Sequence, residues 1–205
     1  MDYSKLANQE SLQKSNASLK EHGYEVITVK TGAEALTKIK NMIPKSVSIM
    51  NGASVTLEQI GFVELLKSGK HEWNNLHAAI AAEKDPVKQQ VFRNQAQFSD
   101  YYLGSVHALS ETGEFVIASN TGSQLPHIVY TSKNLIFVVS TKKIVPNLDE
   151  AMKRLTEYVV PLEDKHMQEK YGSGTHVNKV VIFKGESSYT GRKITFILIE
   201  EDLGF

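Results

Sequence analysis

The chain has 205 residues, 23 basic and 23 acidic side chains, and no cysteine. The missing thiols exclude a disulfide framework, a thiolate zinc site and a cysteine-ligated iron–sulfur cluster in this chain. The balanced charge offers no basic surface for nucleic acid. Apolar runs such as residues 135–139 are far shorter than the roughly 20 residues of a membrane helix, and the N-terminus lacks the apolar core of a signal peptide. We therefore expect one cytoplasmic domain over residues 1–205, with neither nucleic acid nor membrane as a partner.

The first third of the chain alternates predicted helices and strands. The spacing of its apolar residues predicts helices over residues 4–22, 31–43 and 56–69. Short β-branched segments predict strands over residues 24–29 and 46–50.

The remainder continues the alternation. Asp85 and Pro86 begin a predicted helix that runs to about Leu103, whereas residues 71–82 fit neither a helix nor a strand pattern. Two further helices are predicted, over residues 147–159 and 162–171. Strand patterns cover residues 105–110, 115–118, 135–140, 177–183 and 194–200.

This order predicts an α/β fold, with a Rossmann-like, mostly parallel or mixed sheet and helices on both faces. The continuous apolar segment 135–140 is typical of a strand buried at the centre of such a sheet. We expect it to share one sheet with segments 24–29, 46–50 and 105–110.

Polar loops follow several predicted strands, and ligands of open α/β sheets bind at such carboxyl ends. The loop containing Asn51, Gly52 and Ser54 leads to Thr56, which with Gln59 has a capping-box pattern. Its backbone N–H groups and hydroxyls suit an anion, although an ordinary capped loop has the same features. Two further candidates are a second hydroxyl-rich loop and a cation after the central strand: Thr121, Gly122, Ser123 and Lys143. A plain polar turn and a solvated lysine are the alternatives.

Glu111 is the candidate catalytic residue, because a carboxylate directly after an apolar strand can act as a base or nucleophile. The alternative is a β-turn in which Gly113 supplies a positive φ. We expect Glu111 and the two hydroxyl-rich loops to line one pocket. The 7 histidines are scattered and form no metal-ligand spacing, so neither a metal site nor a cofactor is predicted.

Three segments resemble motifs of the LUD-domain (lactate utilisation) family. Residues 51–61 (NGASVTLEQIG) resemble its NG-x-S-x-TLEEIG segment, and residues 102–114 (YLGSVHALSETGE) resemble Y-x-L-x-S-x-NALTETGE. Residues 143–151 (KIVPNLDEA) resemble KIVPNLEEA. The similarity is strongest over residues 32–161, with the motifs in family order.

The resemblance implies a fold similar to glucosamine-6-phosphate isomerase, ribose-5-phosphate isomerase and the CoA transferases. It also implies a role in bacterial conversion of lactate to pyruvate, alongside partner subunits that carry iron–sulfur clusters. Glu111 is similar in placement to the nucleophilic glutamate of CoA transferases. Two segments depart from the family, since residues 119–124 (SNTGSQ) replace DGTGNR and residues 184–191 replace SRTADIE.

The leading interpretation is an accessory or small-anion-binding subunit of lactate or related organic-acid utilisation. Its expected partners are a small anionic metabolite and iron–sulfur subunits of a lactate-oxidising system. One alternative is a CoA-transferase-like enzyme that acts on an acyl or phosphorylated small molecule through Glu111. Another is an interaction module without chemistry of its own.

Overall fold

The computed structural model describes residues 1–205 and contains two β-sheets. Its ten strands are β1 (Glu25–Val29), β2 (Ser48–Asn51), β3 (Asn74–Asn75), β4 (Tyr101–Gly104), β5 (Ala108–Ser110), β6 (Phe115–Ser119), β7 (Asn134–Ser140), β8 (Ile144–Val145), β9 (Lys179–Phe183) and β10 (Lys193–Ile199). The larger sheet has the order β1-β10-β7-β4-β2-β3, and every neighbouring pair in it is parallel.

The α-helices are α1 (Gln9–Glu21), α2 (Gly32–Met42), α3 (Val55–Gln59), α4 (Phe62–Ser68), α5 (Leu76–Ala82), α6 (Pro86–Ala96), α7 (Leu148–Lys153) and α8 (Val160–Tyr171). Side-chain oxygens cap the first turns of six of them, at Asn8, Thr31, Ser54, Asn75, Asp85 and Asn147. No helix combines the length and the apolar character that crossing a bilayer requires.

The strand β7 lies at the centre of the larger sheet, between β10 and β4, and its side chains alternate between two apolar layers. Leu135 and Phe137 join a core with α1 and the second sheet. Ile136 and Val138 join a core with α2, α3 and α4 on the opposite face. Both faces of β7 are therefore buried, which explains why its sequence is continuously apolar.

The smaller sheet has the order β8-β5-β6-β9 and is mixed, with β5 parallel to β8 and antiparallel to β6. One side of it packs against the larger sheet. On the other side, Val116 and Val145 pack against Ala151 of α7. The α/β prediction is therefore confirmed, with this second sheet lying between the larger sheet and the helices on that face.

Several predicted element boundaries are wrong. Segment 105–110 was expected in the central sheet, but the chain leaves that sheet after β4 and enters the smaller sheet as β5. The helix expected to reach Leu103 ends at Ala96. The helix expected over 56–69 is interrupted at Gly61, whose φ of 81° is incompatible with a continuous helix.

The last two predicted helices instead form one continuous helical rod. A π-helical segment, Arg154–Val159, joins α7 to α8. Pro161 lies in the first turn of α8 and has no N–H to donate to the preceding turn. Arg154, the first residue of the π-helical segment, donates to the His107 carbonyl oxygen beside the smaller sheet.

Candidate functional site

A cavity of about 760 Å³ lies at the carboxyl ends of the parallel strands. The loop after β2, the segment after β4 and the loop after β6 line it, and so do residues of α6 and α8. Gly204 and Phe205 also line it. Open α/β sheets bind ligands at this edge, because the loops that leave adjacent strands diverge there.

Lys143 lies in this cavity, in a short helical turn directly after β7. Its side chain is almost fully buried, with 5% of its surface exposed. The Nζ atom donates hydrogen bonds to Thr56 Oγ1 at 3.2 Å, Ser105 Oγ at 3.1 Å and the Val106 carbonyl oxygen at 3.3 Å. All three acceptors are neutral, so this buried amine is hydrogen-bonded but has no carboxylate partner.

Burial, together with the nearby charges of Arg154 and Lys142, lowers the pKa of Lys143 to about 7. The carboxylate of Glu163, which lines the cavity, raises this pKa and opposes them. The amine therefore exists in both its charged and its neutral form near neutral pH.

Arg154 is a second buried cation beneath the same site. It is fully buried, its Nη1 donates to the His107 carbonyl oxygen, and its guanidinium lies 5.2 Å from the ring centroid of Tyr158. Its Nε and Nη2 atoms have no hydrogen-bond partner. Burial lowers the pKa of Arg154 to about 10, so it remains a cation at neutral pH.

His107 follows β4 and faces the cavity. Its Nδ1 accepts a hydrogen bond from the Ala118 N–H at 3.2 Å. Burial, together with Lys143 and Arg154, lowers the pKa of His107 to about 3. The ring is therefore neutral, and because Nδ1 is an acceptor, the proton resides on Nε2.

Gly52 and Tyr102, which both line the cavity, approach each other closely. A Cβ atom on Gly52 would lie 2.3 Å from the Tyr102 hydroxyl and 2.9 Å from Gln124 Oε1, so only glycine fits there. The ring of Tyr102 stacks on the buried ring of His127, with centroids 4.8 Å apart. Asn51 Oδ1, beside this contact, is buried without a hydrogen-bond partner.

Most residues of the predicted anion site line this cavity: Asn51, Gly52, Ser54, Thr56, Thr121, Ser123 and Lys143. Gly122 does not line it and instead donates its N–H to Ser119 Oγ at 2.9 Å. Ser54 rather than Thr56 caps α3, which leaves the Thr56 hydroxyl to accept from Lys143. The expectation that the two hydroxyl-rich loops share a pocket agrees with this geometry.

Glu111 lies elsewhere, so its expected place in that pocket is wrong. Its carbonyl oxygen accepts from Ser18 Oγ at 2.9 Å, and its carboxylate lies 3.6 Å from Lys14 Nζ on α1. The β5–β6 hairpin explains this position. Its open end places His107 and Ser119 at the cavity, whereas Glu111 belongs to its turn, at the opposite end of the hairpin. Gly113, with a φ of 96°, forms that turn.

Sequence reasoning missed Ser105 and Arg154, which both contribute to the environment of Lys143. An arginine between the apolar positions Ala151 and Leu155 is the one signal that could have indicated a buried cation. No group of three His, Asp, Glu or Cys side chains is arranged to hold a metal ion.

Comparisons with known proteins agree with the motif resemblance. The LUD-domain family model matches residues 12–189, whereas a search of curated proteins finds no match. Among solved structures, the chain is similar to a DUF162 family protein from Deinococcus radiodurans determined at 1.70 Å resolution. The two chains are 11% identical and align with a TM-score of 0.56 over 95% of this chain and 99% of the other. At this identity the likeness concerns the fold alone.

Proposed function

Because the chain belongs to the LUD-domain family, we propose that it acts in lactate or related organic-acid utilisation as an accessory subunit that binds a small carboxylate. The binding site is the cavity around Lys143. The proposal includes iron–sulfur subunits as partners, on the basis of the family resemblance. It also includes a cytoplasmic location, on the basis of the composition.

The observation that carries the binding proposal is the buried amine of Lys143 without a carboxylate partner. Removing a charged group from water costs several kcal/mol unless a counter-charge or several hydrogen bonds offset that cost. Arg154, also buried, adds a second positive charge nearby. An anionic ligand that reaches Lys143 would supply the missing negative charge.

The remaining polar groups of the cavity suit a small hydroxy or oxo acid. Ser54, Thr121 and Ser123 offer hydroxyls, and the unpartnered Oδ1 atom of Asn51 can accept from a ligand hydroxyl. A few polar groups that converge in a cavity are characteristic of a binding site.

The CoA-transferase-like alternative receives less support. Its proposed nucleophile, Glu111, lies against α1 and does not line the cavity. The cavity volume would admit an acyl group, but the carboxylate that the mechanism requires is at the other end of the β5–β6 hairpin.

Calorimetric titration of L-lactate at pH 6 tests the proposal. Lys143→Met should weaken binding about 10–100-fold, because a hydrogen bond to a charged group contributes about 1.5–3 kcal/mol. Lys142→Met is the matched control, since Lys142 is adjacent and buried but pairs with Asp202 at 2.5 Å. No binding of any short-chain carboxylate to the wild-type protein, or equal binding by Lys143→Met, would contradict the proposal.

Partner subunits require a separate experiment. Co-expression with candidate iron–sulfur subunits of a lactate-oxidising system, followed by affinity purification, should yield a complex with the absorbance of the cluster. Purification of the chain alone under these conditions would contradict that part of the proposal without affecting the binding site.

A further inference from the structure

The surroundings of Lys143 suit covalent chemistry as well as ion binding. Lys143 lines the cavity, and every group that is hydrogen-bonded to its Nζ atom is neutral. A salt bridge would hold the amine as an ammonium ion, whereas hydroxyl and carbonyl partners also tolerate the neutral, nucleophilic form. Its neighbour Lys142 differs in this respect, because it forms an ion pair with Asp202.

We propose that the Lys143 amine condenses with the ketone of a 2-oxo carboxylate, such as pyruvate, to form a protonated imine in this cavity. The inference rests on the proposed function, because it concerns the same cavity and names the ligand class that reacts there.

The charges around Lys143 favour the reactive form of the amine. The cations Lys142, on the same turn, and Arg154, on the helical rod, disfavour a third positive charge beside them. His107, before β5, is neutral and adds none. Glu163 on α8 is the one carboxylate that acts in the opposite direction. Together with burial, these groups bring the pKa of Lys143 to about 7, so much of the amine is unprotonated under physiological conditions.

Space for the substrate exists beside the amine. Lys143 lines the cavity of about 760 Å³, which has room for a three-carbon acid. On one side the backbone of Gly204 lies close to the amine, because an added Cβ there would be 2.2 Å from Thr56 Oγ1 and 3.0 Å from Lys143 Nζ.

Thr56 and Ser105 can assist the proton transfers that the reaction requires. The amine lone pair forms the N–C bond and the carbonyl π electrons become an oxygen lone pair; the nitrogen then loses a proton and the oxygen takes one, giving a carbinolamine. The nitrogen lone pair then expels the hydroxyl group, which leaves as water after gaining a second proton. The sum is amine plus ketone plus one proton, giving iminium plus water. Hydroxyls at 3.1–3.2 Å from Nζ are within reach to relay these protons.

A carboxylate next to the ketone distinguishes the preferred substrate from a simple ketone. The iminium product retains a positive charge in a buried site that provides no carboxylate bonded to Nζ. A 2-oxo acid supplies its own anion, because its carboxylate is attached directly to the carbon that becomes the iminium carbon. This internal counter-charge offsets the cost of the buried cation.

Reductive trapping tests the inference. The purified chain is incubated with pyruvate and sodium cyanoborohydride, which delivers hydride to the iminium carbon and leaves a stable secondary amine. Intact mass should show one carboxyethyl group per chain, and peptide mapping of the wild-type protein should locate it on Lys143. Acetone, which has the ketone but no carboxylate, should give at least about tenfold less adduct at equal concentration, consistent with the worth of one charge-assisted interaction.

Variants separate this inference from the binding proposal. Lys143→Met and Lys143→Arg should both abolish the adduct, whereas Lys142→Met should retain it, with trapping moved to higher pH because a cation that lowers the pKa of Lys143 is lost. Lactate has no ketone, so its calorimetric binding reports on the anion site alone. Lactate binding without a pyruvate adduct on Lys143 would overturn the imine while leaving the proposed function intact. An adduct spread over exposed lysines, or equal trapping of acetone, would also overturn it. A Lys143 adduct in a protein that does not bind lactate would instead refute the proposed binding of hydroxy acids.

Discussion

Replacing Lys143 with methionine is expected to change how the stability of the protein depends on pH. The pKa of this lysine falls from an ordinary value of 10.5 to about 7 on folding. Between these two pH values the unfolded chain binds a proton that the folded chain does not. Stability therefore rises with pH across this window, and below pH 7 the folded protein bears the full cost of the buried charge.

The magnitude follows from the two pKa values. Each pH unit between about 7 and 10.5 contributes about 1.4 kcal/mol. The complete window therefore corresponds to about 5 kcal/mol of unfolding free energy. Methionine has a similar length and no charge, so the variant lacks this contribution. At pH 6 the variant loses the hydrogen bonds to Thr56 and Ser105, but it also avoids the cost of burying a charged amine. We expect the second effect to be at least as large, so the variant should be at least as stable as the wild type.

Urea denaturation of both proteins at pH 6, 7.5 and 9 provides the test. Other titrating groups are common to both chains, so the difference between their unfolding free energies isolates Lys143. The wild type should gain stability relative to the variant by about 1.4 kcal/mol per pH unit above pH 7. A difference that stays constant from pH 6 to pH 9 would show that Lys143 is an ordinary, solvated lysine and would refute the reasoning.

Three further variants test the surroundings of the site. Gly52→Ala should destabilise the protein by about 1–3 kcal/mol because its Cβ would overlap the Tyr102 hydroxyl. Thermal unfolding should show that adding Tyr102→Phe restores part of this stability, whereas additive losses in the double variant would contradict the contact. Glu111→Gln should leave lactate affinity within about twofold by calorimetry, since Glu111 lies outside the cavity; a larger loss would restore it as a candidate. Arg154→Met removes a neighbouring cation and should raise the pKa of Lys143. The increase of the pyruvate trapping rate with pH should therefore occur at higher pH in the variant than in the wild type. An unchanged pH profile would contradict the coupling between Arg154 and Lys143.

The sequence predicted the central sheet well where hydrophobic patterning is unambiguous. The continuous apolar stretch of β7 can be satisfied only by burial on both faces, and the structure places it at the centre of the sheet. The pattern failed at β4 and β5, because two short strands in different sheets are separated by only three residues. Local periodicity contains no information about a change of sheet within one apolar stretch.

The candidate site was predictable only as far as the topology of the parallel strands determines it. Asn51, Ser54 and Lys143 follow parallel strands, so the general rule for carboxyl ends brings them together. Glu111 also follows a strand, but that strand belongs to a hairpin whose turn lies away from the cavity. Arg154 was missed because its role depends on how the helical rod packs on the smaller sheet, which is a long-range contact.

The most direct test of the account is a crystal structure of the protein soaked with L-lactate. We expect one lactate in the cavity, with a carboxylate oxygen at about 3 Å from Lys143 Nζ, close to the hydroxyls of Thr56 and Ser105. The same soak of Lys143→Met should show no bound lactate. Lactate bound only outside the cavity, or a cavity without lactate at saturating concentration in the wild type, would contradict the central claim.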